Sequence, residues 1–154
     1  MEVDERIKRA SGVPMLHLEY RKLFAINGLI DDFVLYGKPS DYVEFSRAVE
    51  AAIRGKTVAT LYTASHIRIE IDSDSEAGIL MTSLQNQDNR YPSVSDWEQR
   101  DILRIWGSPA VLEQLRLFLL DLAGRGKGYS YLAEFSEEYA CHQSSPEWRL
   151  HVLY

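Results

Sequence analysis

Apolar and polar residues alternate through Leu16, His17, Leu18, Glu19, Tyr20 and Arg21, the two-residue period of a half-buried strand. A second strand is predicted in "LIDDFVLYG", with Asn27-Gly28 before it as a hairpin-type turn. After a Gly-Lys-Pro break, Tyr42, Phe45, Val49, Ala52 and Ile53 recur at helical spacing and predict an amphipathic helix from Ser40 to Arg54. Strands are expected at 57–62, 66–72 and 78–83; in "HIRIEID", Ile67, Ile69 and Ile71 take one face and Arg68, Glu70 and Asp72 the other. A second helix follows Pro109, with Val111, Leu112, Leu115, Leu117, Phe118, Leu119, Leu120 and Leu122 almost encircling it. Such a surface belongs at the centre of a core or half under a partner subunit. In the closing strand, Trp148, Leu150, Val152 and Tyr154 oppose Arg149, His151 and Leu153.

The pattern is written twice. A step of 70 residues carries Tyr36-Gly37-Lys38-Pro39 onto Trp106-Gly107-Ser108-Pro109, and a step of 71 carries Gly55-Lys56 onto Gly126-Lys127. Continued, the step of 71 pairs Ser75-x-Ala77-x-Ile79 with Pro146-x-Trp148-x-Leu150. Pro in a first helical turn loses no hydrogen bond, Ser108 can cap the orphan amides, and Gly suits a helix stop. The expectation is a single domain over 1–154, with a charged lead-in at 1–12, an internal pseudo-repeat of 33–83 and 102–154, and a polar connection at 84–101. The fold class is α+β: two weakly similar strand-helix-strand-strand units form a mostly antiparallel sheet with both helices on one face, its other face charged and open.

Composition narrows the functional classes. A chain of 154 residues fits one domain, and 45% hydrophobic with 26% charged residues is ordinary for a globular protein. Seventeen Lys plus Arg against 23 Asp plus Glu leave a net charge of −6, which disfavours nucleic acid and suits a basic partner. The single cysteine, Cys141, excludes an intrachain disulfide, and "MEVDERIKRASG" lacks the apolar core of a signal peptide. The cytoplasm is the expected compartment. "LRLFLLDLAG" is broken by Arg116 and Asp121 and falls far short of the ~20 residues of a membrane span, so no membrane is expected.

Few residues combine into catalytic chemistry. In "RGKT" at 54–57 the Gly-Lys closes a helix, whereas a phosphate loop opens one. "DSDSEAG" places Asp72, Asp74 and Glu76 at alternate positions, but Gly78 and Ser83 break the calcium-loop pattern and leave an acidic turn. Cys141 and His142 are adjacent, and neighbouring side chains on a strand diverge, which argues against a thiolate–imidazole dyad. His17, His66, His142 and His151 lack metal-ligand spacing, so neither a metal nor a cofactor is expected. "EFSEEY" gathers Glu134, Glu137 and Glu138 with Phe135 and Tyr139 at a predicted hairpin tip, and aromatics ringed by acids suit a protein interface.

The Gly-Ser-Pro helix start, the Leu-rich helix, the strand-turn region and "SSPEWRLHVLY", together residues 103–154, resemble immunity proteins of bacterial polymorphic-toxin systems. The resemblance implies a small acidic inhibitor, not an enzyme, that binds and neutralises a cognate toxin domain, and it assigns no binding residues. From the residues themselves, the expected partner contacts are Asp72, Asp74, Glu76, Glu134, Glu137 and Glu138, with Tyr139 as aromatic anchor. The alternative reading is a small α+β enzyme or ligand-binding domain with a cleft between its two units. A homodimer through the second helix is a third expectation.

Overall fold

A computed structural model of the chain describes residues 16–25, 28–55, 57–73, 76, 78–85, 101–141 and 147–153. In chain order the elements are β1 (His17–Ala25), β2 (Gly28–Gly37), α1 (Pro39–Gly55), β3 (Ala59–Tyr62), β4 (Arg68–Asp72), β5 (Met81–Gln85), β6 (Ile102–Trp106), α2 (Pro109–Arg125), β7 (Gly128–Tyr131), a 3-10 turn (Leu132–Glu134) and β8 (Glu147–Val152). The class is α+β. The strands divide between two four-stranded mixed sheets, β1-β2-β8-β7 and β3-β4-β6-β5, instead of forming one. Each has a parallel central pair flanked by antiparallel edges.

The two sheets correspond strand for strand. A parallel pair needs a crossover connection, and here each crossover exchanges material between the halves of the chain. The hairpin β1-β2 is completed by β7-β8, and the pair β3-β4 by β5-β6. Tyr36 faces His17 and His151 on its neighbours, as Trp106 faces Met81 and Asp72. The step of 70 therefore extends from β2 and β6 through both helices: buried Tyr42, Phe45, Val49 and Ala52 of α1 answer to buried Leu112, Leu115, Leu119 and Leu122 of α2. Ala59 of β3 answers to Ser130 of β7 at the step of 71. The last strands do not follow that step. Trp148 and Leu150 answer to Ile69 and Ile71, a step of 79, so Ala77 and Ile79 are not their counterparts.

Both helices begin at proline, for the reason the pattern predicts. The Ser108 hydroxyl accepts a hydrogen bond from the Val111 amide at 3.3 Å, and the Lys38 amide donates to the Asp41 carboxylate at 2.7 Å. Gly126 ends α2 with φ 79°, its amide bonded to the Leu122 carbonyl, a conformation that a side chain would strain. "GRGKG" is thus a helix stop. Gly37 has a different function. A Cβ there would lie 2.7 Å from Leu16 Cδ2 and 2.9 Å from Asp41 Cβ, so the strand-to-helix corner closes only without a side chain. Gly37→Ala is expected to destabilise the fold by about 1–3 kcal/mol through overpacking, measured by urea unfolding, while the roomier Gly107→Ala should cost less.

The helices pack on each other, and α1 also touches β2, β3 and β4. One continuous core takes in Ile67, Ile69, Ile71, Leu103 and Ile105 of one sheet and Leu16, Leu18, Leu35, Trp148 and Leu150 of the other. Tyr42 ties α1 to the parallel β2-β8 pair: its hydroxyl lies 3.0 Å from the Leu35 carbonyl and 2.6 Å from that of His151. Burial, with the Asp41 charge adding to it, holds this phenol far above its ordinary pKa, so it stays a donor. Backbone bonds also link segments that flank the strands, from the Ala64 amide to the Leu16 carbonyl and from the Leu80 amide to the Ala140 carbonyl. Among the described residues no helix is long and apolar enough to cross a membrane.

Candidate functional site

The acidic segment after β7 belongs to the long connection of the antiparallel β7-β8 hairpin and is not a tight turn. Leu132–Glu134 form a single 3-10 turn, followed by bends that fold back beside α2. Leu132 and Phe135 are buried and anchor this segment to the core, which throws Glu134, Glu137 and Glu138 outward. Together with Gln114, Leu117, Phe118 and Asp121 of α2, they line an open groove of about 530 Å³. Leu117 is 45% exposed, an apolar wall facing carboxylates.

The carboxylates of the groove are not equivalent. Asp121 is held by Arg125 at 3.0 Å, one helical turn away, and Glu134 accepts a hydrogen bond from the Tyr131 amide at 2.9 Å. Glu134 therefore also covers a backbone donor on the edge strand β7, which blunts that edge against stray strand pairing. Glu137 and Glu138 have no side-chain partner among the described residues. They are the charges left for an incoming group. Among the described residues no three His, Cys, Asp or Glu side chains converge as metal ligands do.

The remaining expected contacts lie elsewhere. Asp72 ends β4 in the other sheet, half-buried, and Glu76 is exposed beyond it; Asp74 lies outside the described residues. Tyr139 is half-buried, packs against the core and does not line the groove. Cys141 is half-buried, and burial pushes its thiol up to about 11, which leaves it protonated at neutral pH. His142 lies outside the described residues. The polar connection 84–101 is described only at 84–85 and 101.

A second constellation emerges only from strand pairing. On the face of β1-β2-β8-β7 turned away from the core, His17, Tyr36, His151 and Tyr129 stand side by side in register across all four strands. Their rings follow at 6.2, 5.2 and 5.2 Å, with Tyr129 stacked on His151 at 18°. One step along β8, the Arg149 guanidinium lies over Tyr129 and Tyr131 at 5.9 and 5.6 Å from their centroids. Singly these residues read as strand surface, and the alternation Arg149/His151 against Trp148/Leu150 was the signal that placed two of them outward.

No family model, curated protein or solved structure matches this chain. The functional reading therefore rests on the two surfaces themselves.

Proposed function

We propose that the protein acts by binding another protein, as an immunity protein that caps and neutralises a cognate toxin domain. The observation that carries the reading is the groove between α2 and the turn after β7, where unpartnered Glu137 and Glu138 stand opposite exposed Leu117. Carboxylates at an apolar wall receive a lysine or arginine together with its methylene stem, so they fit a basic partner surface. The net charge of −6 extends the same attraction beyond contact and speeds encounter. Occlusion of a cleft in the toxin needs no chemistry from the inhibitor, only a tight fit with a few central contacts.

The test is co-expression with each toxin domain encoded in the neighbouring genes, followed by size-exclusion of the mixture. Protection of the host cell and a stable complex are expected. Replacing both free charges, in Glu137→Lys with Glu138→Lys, should weaken binding about tenfold or more, mainly through slower association, and the loss should shrink at high salt. A host that dies despite full expression of the folded protein would sink the reading. Full protection by the double variant at wild-type affinity would remove the groove from it.

A further inference from the structure

The face of β1-β2-β8-β7 turned away from the core carries mixed charge, with exposed Glu19 of β1 in the same register row as Arg149 of β8, across Val34. At the corresponding place in the other sheet, Glu70 holds Arg68 at 3.0 Å and Arg104 at 3.4 Å, so the guanidinium charges there are answered from within. Here the position equivalent to Glu70 is Arg149. Its Nε is buried without an acceptor, and among the described residues no carboxylate reaches it. The guanidinium sits 5.9 and 5.6 Å from the centroids of Tyr129 and Tyr131, whose rings stand at 90° to each other, so its cation–π neighbours restrict it and lower the entropy lost on binding.

Apolar surface adjoins that charge. Tyr129 is 58% exposed, and Leu153, which continues β8 beyond its last residue, is 48% exposed. Lys38, one residue past the end of β2, is exposed as well. Tyrosine and arginine around an exposed aromatic are the composition of interface centres, where a few such residues carry most of the binding energy.

We propose that this face docks an acidic segment of a protein partner, a carboxylate meeting Arg149 while an apolar side chain covers Tyr129. Charge complementarity selects this occupant. Single-stranded nucleic acid fits less well, because a chain of net charge −6 repels its phosphates. The surface lies on a different part of the fold from the groove, so it stands or falls independently of the reading above.

The test titrates a fluorescein-labelled peptide of alternating Glu and Phe into the full chain at low ionic strength, read by anisotropy. An oligo-lysine peptide and a labelled oligo-dT of equal length serve as comparators. Saturable binding of the acidic peptide is expected, weakened about tenfold by Arg149→Gln and by Tyr129→Ala and unchanged by Tyr62→Ala on the other sheet. Tyr129 is exposed, so its variant keeps the fold and the comparison holds even where Arg149→Gln does not fold. Absence of saturable binding, or binding indifferent to both Tyr129→Ala and Arg149→Gln, overturns the proposal. Tighter binding of oligo-dT or oligo-lysine than of the acidic peptide overturns it too.

Discussion

Trp148→Ala should lower the thermal midpoint by roughly 6–20 °C, the equivalent of about 3–5 kcal/mol in a domain of this size. Trp148 is 1% exposed and among the largest fully buried side chains in the protein. It sits on β8 opposite Phe33 of β2, in the parallel pair that carries the second half of the chain into the sheet begun by the first. Truncation therefore leaves a cavity at the seam between the halves, and the surrounding strands, held by ladders on both sides, collapse into it only partly. Natural domains hold only about 5–15 kcal/mol in reserve, so the variant should be close to its threshold at physiological temperature. Circular dichroism melts of the variant and the parent provide the comparison. An unchanged urea m-value with a lower midpoint would show that stability alone had moved. A shift below about 2 °C would mean that Trp148 does not anchor the seam.

The parts of this fold that were legible in the sequence are those written by local chemistry. Pro39 and Pro109 start the helices, Gly126 stops the second, and the alternations around Ile69 and Leu150 identify the buried faces of β4 and β8. The division into two sheets was not legible, because it depends on β2 pairing with β8 across more than a hundred residues, and period-two patterns do not specify a partner. The slide at a step of 71 also failed after β7 for a physical reason. The chain needs five residues to pass from β3 to β4, Thr63 to Ile67, but fifteen from β7 to β8, Leu132 to Pro146, and that longer passage includes the 3-10 turn. The site divides in the same way. Glu137 and Glu138, which line the groove, were singled out by composition, whereas the His17-Tyr36-His151-Tyr129 row exists only after four strands are aligned. Glu134 lines the groove with Glu137 and Glu138 and also accepts from a backbone amide, a role that composition does not reveal.

Leu115→Ala and Leu117→Ala should separate what α2 does for the fold from what it does at the surface. The two residues are neighbours on one helix of almost continuous apolar character, yet Leu115 is fully buried and Leu117 is 45% exposed beside Glu137 and Glu138. Leu115 corresponds to Phe45 of α1 at the step of 70, so both belong to the inward stripes of the paired helices. Its truncation removes buried methylenes and leaves a void, at a cost of about 2–5 kcal/mol. Leu117 loses area already wet in the free protein, and its variant should fall within about 0.5 kcal/mol of the parent. In binding the order reverses. On the function proposed above, Leu117→Ala should weaken capture of a toxin domain several-fold, whereas Leu115→Ala, assayed where it is folded, should bind with nearly parental affinity. Paired urea titrations and surface-plasmon measurements on the same preparations would read both. If Leu117→Ala were the unstable variant, α2 would be turned the other way. If it were silent in both assays, the groove would lose its apolar wall as a contact, and the partner would have to be held by Glu137 and Glu138 alone.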